Sequence, residues 1–268
     1  MSTNNSSIRK IKTYDNELRF EALRAMTQDN ILEQTIAYYQ PQFIVTSGKL
    51  YGAEALVRWD HPKLGILGPY DLLPFMDSIS LRRTLWERML GYTISMLGAL
   101  ESSDLCLSVN VSADVSSSIN WAGSVIQRVT TSNISSNRLT IEITEDDGNE
   151  FDMDLADTVK KLRAEGFNCA IDDFGTGSSS IKRLSLVSFN ILKIDKIFIN
   201  QARTSILGQK ILTNIVLMAH DLGLLIVAEG IENQCDFDRI ANLGVDIAQG
   251  YYLSKPITGT ELIEMSLR

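Results

Sequence analysis

Eight times along this 268-residue chain, a short and mostly apolar run ends on a polar residue. The residues that end these runs are Gln40, Glu54, Asn110, Glu142, Asp172, Lys193, Glu229 and Gln249. Short apolar runs that alternate with helical patterns are typical of the strands of a parallel sheet, because such strands are buried on both faces. In a closed parallel sheet the carboxyl ends of the strands meet around one mouth. The pattern therefore predicts that these polar residues, distant in sequence, share a single site.

A hairpin opens the pattern. Ala37–Val45 and Lys49–Trp59 are joined through the turn residues 46–48, and so short a link requires the first strand to run antiparallel to the second. About eight strands over this length favour a closed barrel over an open sheet. We therefore expect an α/β fold, a modified TIM-like (β/α)8 barrel with an antiparallel first strand.

The rest of the chain alternates between helix and strand patterns. The predicted strands are Leu105–Val111, Arg138–Thr144, Asn168–Asp172, Phe189–Ile194, Leu225–Glu229 and Val245–Ala248. The predicted helices are Asn16–Met26, Leu81–Leu100, Trp121–Thr131, Asp152–Glu165, Ser180–Leu184, Thr204–Leu222, Gln234–Leu243 and one from Thr258. We expect a flexible segment over residues 1–15 and one domain over 16–268, with a packing helix at about 16–30.

Composition narrows the class of function. The net charge of −8 argues against a partner that is a nucleic-acid polymer, and an acidic protein that acts on an anion needs bound cations. Two histidines are too few for a histidine-built zinc site, and three scattered cysteines fit a reducing compartment. The polar N-terminus lacks the apolar core of a signal peptide, and no apolar run is long enough to span a bilayer. We expect a soluble, cytoplasmic protein.

Two constellations point to metal and phosphate chemistry. Asp172 and Asp173 close a buried-type strand, where they could bridge two divalent cations, although a turn or N-cap pair is an equal alternative. Glu54 and Arg58 lie four positions apart on one strand and so share a face, which would place a metal ligand beside a phosphate-binding guanidinium. A simple ion pair is the alternative for these two residues.

The other run-ending residues are ambiguous one by one. Lys193 and Asp195 follow a buried run, where an unpaired lysine is costly, and Glu229 ends five apolar residues. Asn110 and Glu142 each have an ordinary structural interpretation. Taken together, ligands at nearly every strand end favour a divalent-metal hydrolase or lyase on a barrel.

These residues also stand in short motifs. The motifs are Gln40-Pro41, Glu54-Ala55-Leu56, Arg58-Trp59, His61-Pro62, Asn110-Val111-Ser112, Glu142-Ile143-Thr144-Glu145, Asp172-Asp173-Phe174-Gly175-Thr176-Gly177, Lys193-Ile194-Asp195, Ala228-Glu229-Gly230-Ile231-Glu232 and Gln249-Gly250-Tyr251. The ordered series resembles the signature of the EAL-domain cyclic-di-GMP phosphodiesterases, from about Leu32 to the C-terminus. Each motif is short, whereas the ordered set is specific.

The resemblance implies hydrolysis of cyclic-di-GMP to linear pGpG with two Mg²⁺ or Mn²⁺ ions per site, and inhibition by Ca²⁺. The implied metal ligands are Glu54, Asn110, Glu142, Asp172, Asp173 and Glu229. Lys193 would position the water, with Asp195 close by and Glu229 also catalytic. The implied substrate-binding residues are Gln40, the Leu56 backbone, Arg58 and Gln249.

The resemblance further implies a homodimer. The residues that would couple metal binding to the dimer are Glu145, Phe174, Gly175, Thr176, Gly177, Ser178 and Glu232. The chain departs from the family pattern at Met76, Asp77, Ser80 and Ser178, which leaves all the implied ligands in place but could alter loop closure or affinity.

Two other functions stay open at this point. The chain could be a catalytically silent or weak EAL-type receptor for cyclic-di-GMP, or a protein-interaction module. It could also be a metal-dependent barrel enzyme that acts on another phosphodiester or on sugar phosphates, since generic barrel reasoning does not identify a guanine.

Overall fold

The computed structural model describes residues 28–100, 104–118, 120–144, 152–176 and 180–268. Within these ranges nine strands form one sheet. They are β1 (Thr35–Ile44), β2 (Leu50–His61), β3 (Gly65–Leu67), β4 (Cys106–Val111), β5 (Leu139–Thr144), β6 (Asn168–Phe174), β7 (Ile191–Ile194), β8 (Leu225–Ala228) and β9 (Ile247–Gln249).

The sheet closes into an eight-stranded barrel, with β3 attached outside it as a hairpin on β2. Strand β1 pairs antiparallel with both β2 and β9, and every other neighbouring pair within the barrel is parallel. The predicted barrel with an antiparallel first strand is therefore confirmed. Closure removes the free sheet edges and brings the polar residues at the strand ends together.

The described helices cover the outside of the barrel. They are α1 (Gln28–Glu33), α2 (Pro69–Leu72), α3 (Ile79–Ala99), α4 (Ala113–Ser116), α5 (Trp121–Thr131), α6 (Asp152–Ala164), α7 (Ser180–Leu186), α8 (Lys196–Thr204), α9 (Ile206–Asp221), α10 (Gln234–Leu243) and α11 (Gly259–Ser266). Short 3-10 turns cover Leu73–Phe75 and Ser136–Arg138. The main apolar core lies between these helices and the sheet.

The predicted helix Thr204–Leu222 is confirmed as α9, Ile206–Asp221, whereas the sequence pattern did not predict the short helix α8 that precedes it. The chain forms two helices, α8 and α9, which are separated at Ser205 by an extended backbone whose side chain accepts a hydrogen bond from the Gly208 amide. A side chain at Gly208 would clash with the Gln201 carbonyl, so the tight approach of the two helices requires glycine there. The preceding Asp195 caps α8 by accepting from the Ile197 amide.

A second, smaller apolar cluster closes the barrel beneath the mouth. Its four buried residues each lie two positions before a run-ending polar residue on the same strand, so their side chains share the interior face with the site. They are Ala170, Ile191, Val227 and Ile247. The polar mouth therefore rests on an apolar floor, which lowers the local dielectric and strengthens its electrostatic interactions.

The predicted flexible segment over residues 1–15 and the predicted helix Asn16–Met26 lie outside the described residues. Among the described helices, none combines the length and the apolar character needed to cross a membrane.

Candidate active site

A single ammonium group lies at the centre of the barrel mouth. Lys193 is 1% exposed, and its Nζ lies 2.7 Å from Glu142 Oε2, 2.7 Å from Glu229 Oε1 and 2.9 Å from Asp172 Oδ1. Glu54 Oε2 is 3.6 Å from the same nitrogen. The strand-end carboxylates predicted to share a site therefore meet around one lysine.

The lysine does not neutralise this cluster. Burial alone would lower the pKa of Lys193, but the four surrounding carboxylates outweigh it and raise that pKa well above its ordinary value. Burial, together with the neighbouring carboxylates, raises the pKa of Glu142 and of Asp172. One positive charge is too little to keep all of these buried carboxylates ionised, so additional cations would displace their protons and stabilise the ionised forms.

Glu54 accepts hydrogen bonds from two side-chain amides at the mouth. Asn110 Nδ2 donates to its Oε1, and Gln249 Nε2 donates to its Oε2 at 2.7 Å. Burial would raise the pKa of Glu54, but Lys193 and these two amides outweigh that effect and lower it. Glu54 is therefore held ionised, as a cation ligand must be.

A bulge at the end of β6 turns two adjacent aspartates towards one site. The β6–β7 register shifts between Ile171 and Phe174, and Asp173 has a left-handed backbone with φ of 51°. In a regular strand the side chains of Asp172 and Asp173 would point to opposite faces. The predicted strand ends at Asp172, whereas β6 continues to Phe174. The bulge, and not a strand end, therefore directs both aspartates towards the site.

Two overlapping triads have the donor chemistry of a divalent-cation site. Glu54, Glu142 and Asp172 form one, and Asp172, Asp173 and Glu229 form the other, with ligand oxygens within 4.8 Å of one another in each. Asn110 Oδ1 is buried and accepts no hydrogen bond, which suits an amide oxygen that faces a cation. Oxygen donors of this kind are those that Mg²⁺ and Mn²⁺ prefer. The residues present thus fit two divalent cations that share Asp172.

This arrangement predicts a pH-dependent cation affinity. Burial, with Asp172 and Asp195, raises the pKa of Asp173 to about 7, and burial, with Asp172 and Glu54, raises that of Glu229 to about 8. A cation must displace the protons that these groups hold near neutrality. We expect the affinity for Mn²⁺ alone, measured by titration calorimetry, to fall by about tenfold per pH unit between about pH 8 and pH 7, where one proton is displaced, and by up to about a hundredfold per unit below about pH 7, where two are. An affinity that stays constant from about pH 6 to about pH 9 would contradict this expectation.

The residues expected to hold the substrate lie around the same mouth. Gln40 pairs with Glu54 across β1 and β2, and its Nε2 donates to the Ser254 carbonyl at 3.3 Å. Arg58 is half-buried, with its guanidinium 5.8 Å from the centre of the Tyr38 ring. The parallel pairing of β2 with β4 ends at Ala55, so Leu56 stands at the rim.

The segments that carry the second triad are tied to α8. Asp195, at the start of this helix, hydrogen bonds Asp173. Gly230 follows Glu229 with φ of +65°, and a side chain there would meet Lys196 Cβ at 2.3 Å. Helix α8 therefore packs directly against the backbone next to Glu229.

An ion-pair cluster fastens the other end of α8. Arg203 donates to both carboxylate oxygens of the buried Asp236, at 2.9 and 2.6 Å, and to Glu232 Oε2 at 2.9 Å. The structure thus places Glu232 in this cluster beside α8. Sequence reasoning missed Arg203 and Asp236, because their partners lie 29 to 33 positions away.

The predicted coupling loop is described only in part. Phe174 is buried, Gly175 lies against the Phe198 ring, and Thr176 donates to the Asp173 carbonyl at 2.9 Å. Glu145, Gly177 and Ser178 lie outside the described residues. Of the other family departures, Asp77 and Ser80 flank Ser78, which caps α3.

Comparison with known proteins identifies similar chains. The family model of the EAL domain matches residues 22–256. The chain is 31% identical to cyclic di-GMP phosphodiesterase RocR of Pseudomonas aeruginosa, over 82% of this chain and 57% of RocR. It is also 31% identical to the oxygen sensor protein DosP of Escherichia coli, over 84% of this chain and 28% of DosP. The chain therefore spans little more than half of one relative and less than a third of the other.

A solved structure gives the same result for the fold. The PaMucR phosphodiesterase, solved in complex with c-di-GMP, superposes on this chain with a TM-score of 0.81 at 31% identity. The superposition covers 91% of this chain and 99% of that one. The barrel, and not only the short motifs, is shared.

Proposed function

The chain belongs to the EAL-domain family, and from that premise we propose that it hydrolyses cyclic-di-GMP to linear pGpG with Mg²⁺ or Mn²⁺. The observation that carries the proposal is the pair of carboxylate triads that share Asp172 around Lys193. The named activities of RocR and of PaMucR support the choice of cyclic-di-GMP over other phosphodiesters or sugar phosphates.

The metal ligands would divide between two cations. Glu54, Asn110, Glu142 and Asp172 would hold one, and Asp172, Asp173 and Glu229 would hold the other. When bound, such cations lower the pKa of water and offset the charge on the phosphate oxygens. The carboxylates that Lys193 alone does not keep ionised give a physical reason for the chain to bind cations there. Ca²⁺, which prefers a larger shell of ligands, would bind without supporting turnover.

The side chains of the chain itself would orient the reacting groups. Lys193 projects from the floor of the site into the carboxylate cluster, where its ammonium would donate to the attacking water. Arg58 at the rim would bind a phosphate oxygen, together with Gln40, Gln249 and the Leu56 backbone. Glu229, whose pKa is raised to about 8 by burial and by Asp172 and Glu54, would lose its proton when a cation binds, and its carboxylate would then be available to accept a proton in the reaction.

A product assay tests this function. We expect incubation of cyclic-di-GMP with the protein in Mg²⁺ or Mn²⁺ to yield pGpG on ion-exchange chromatography, and we expect Ca²⁺ to support binding without product. A panel of other cyclic dinucleotides and simple phosphodiesters serves as the control. Binding without product in both Mg²⁺ and Mn²⁺ would contradict the enzymatic proposal and favour the receptor.

The proposal extends to the organisation of the protein. We propose that residues 16–268 form one domain, that two copies associate as a homodimer, and that the protein lowers a bacterial second messenger in the cytoplasm. Glu145, Glu232 and the loop Phe174–Ser178 would couple the metal site to the dimer.

A further inference from the structure

A row of buried amides leads from the interior of β1 to Glu54. Gln42, which is 4% exposed, donates through Nε2 to Gln249 Oε1 at 2.7 Å. Gln249, also 4% exposed, donates through Nε2 to Glu54 Oε2 at 2.7 Å. The antiparallel register of β1 and β9 places Gln42 directly opposite Gln249.

The orientation of the amides in this row is set by Glu54, the carboxylate at its end. An ionised carboxylate only accepts hydrogen bonds, so Gln249 must present its NH₂ group to Glu54. Its carbonyl oxygen then faces Gln42, which must donate in turn. Gln249 Nε2 also donates to Gln40 Oε1 at 3.2 Å. If Gln249 were turned over, its oxygen would face Glu54 and the Gln40 oxygen, its NH₂ group would face that of Gln42, and all three contacts would be lost.

We propose that Gln42 is a positioning residue for the metal site: it fixes the Gln249 amide in the orientation that holds Glu54 as a cation ligand. This inference rests on the proposed metal-dependent function. The Gln42 amide is engaged beneath Gln249, so it acts through Gln249 and has no direct role in the reaction. In this geometry Gln249 hydrogen bonds the metal ligand Glu54, in addition to any contact that it makes with substrate.

A residue that hydrogen bonds a metal ligand from the side away from the metal fixes the orientation of that ligand. Glu54 already receives a second donor, from Asn110, on its other oxygen. With both oxygens held, the carboxylate has little rotational freedom, and less entropy is lost when a cation binds. Loss of such supporting hydrogen bonds typically weakens metal binding by about 10-fold to 100-fold.

The test is a calorimetric titration of the full chain with Mn²⁺ alone. Gln42→Met keeps the length of the side chain but cannot donate, and we expect it to weaken Mn²⁺ binding by about 10-fold or more. The matched control is Gln34→Met, since Gln34 precedes the same strand and accepts from Trp59 Nε1 at 2.9 Å, away from the mouth. The control should leave Mn²⁺ affinity within about twofold of the wild type.

A double-mutant cycle distinguishes an effect of Gln42 through Gln249 from a general disturbance of the structure. If Gln42 acts through Gln249, Gln42→Met should add almost nothing to the loss of Mn²⁺ affinity already caused by Gln249→Met. Additive losses, or wild-type Mn²⁺ affinity in folded Gln42→Met, would overturn the inference. Should Gln42→Met fail to fold, Gln42→Asn, whose shorter side chain retracts the donor, is titrated against the same two outcomes.

Turnover provides an independent readout. At saturating Mn²⁺ we expect Gln42→Met to recover most of its kcat, because the loss lies in the affinity for Mn²⁺ and not in the chemical step. A wild-type chain that binds Mn²⁺ but releases no pGpG would contradict the proposed function. The effect of Gln42 on Mn²⁺ affinity would still be measurable in that case, so the two proposals fail separately.

Discussion

Replacing Asp172 with asparagine is expected to lower kcat by about a thousandfold or more, even at saturating Mg²⁺ or Mn²⁺. Asp172 is the one carboxylate that belongs to both triads. The amide keeps the shape of the side chain but removes one negative charge from both cation sites at once. Initial rates of pGpG formation over a range of Mg²⁺ concentrations measure the effect.

Loss of fold is separated from loss of chemistry by two controls. Glu54, Glu142 and Glu229 still surround Lys193 in the variant, so we expect its circular dichroism spectrum to match the wild type. Asp154→Asn removes the same charge from an exposed position on α6 and should leave kcat within about twofold. A kcat for Asp172→Asn within about tenfold of the wild type at saturating Mg²⁺ would reject the two-cation assignment.

The barrel was predictable from sequence because its signals are local. Apolar runs with abrupt polar ends mark the strands, and the three-residue link after Val45 requires an antiparallel hairpin whatever the tertiary context. The run-ending residues were predictable as one site by the same logic, since closure of a parallel sheet places strand ends together. Helix α8 was not predicted, because it is only nine residues long and its close packing against α9 at Gly208 depends on tertiary contacts.

The finer structure of the site depends on long-range register. In the sequence, nothing distinguishes Gln42 from an ordinary polar residue of a strand. Its proposed role depends on its position opposite Gln249, 207 positions away. The bulge at Asp173 likewise requires a left-handed backbone, whose position is fixed only when the strand has paired with its neighbour. Motif order therefore predicts which residues meet, whereas the hydrogen bonds among them require the three-dimensional structure.

Lys193→Met is expected to lower the free energy of unfolding in cation-free buffer by about 3–5 kcal/mol near pH 8. The substitution removes the ammonium and leaves Glu54, Glu142, Asp172 and Glu229 facing one another in a buried mouth. Buried carboxylates without a partner charge resist ionisation, so their pKa values in the folded variant lie above those in the unfolded chain. The destabilisation should therefore grow as the pH rises above the unfolded values of about 4, and should be smallest near pH 5.

Urea unfolding followed by circular dichroism, at both pH values and with EDTA, measures this difference. Over this pH range the wild-type lysine stays charged, because the carboxylates raise its pKa. The wild-type carboxyls also titrate in this range, so the effect is measured as the difference in free energy of unfolding between variant and wild type at each pH. Mn²⁺ should restore part of the stability, about 2.7 kcal/mol at a hundred times its Kd, since a bound cation supplies the missing positive charge. It should not restore turnover, because the water would lack its donor.

Lys160→Met, at an exposed position on α6, is the control and should change the midpoint little. A Lys193→Met midpoint equal to the wild type in EDTA at pH 8 would mean that the carboxylates do not depend on the lysine, and the charge argument for recruiting cations would fail with it.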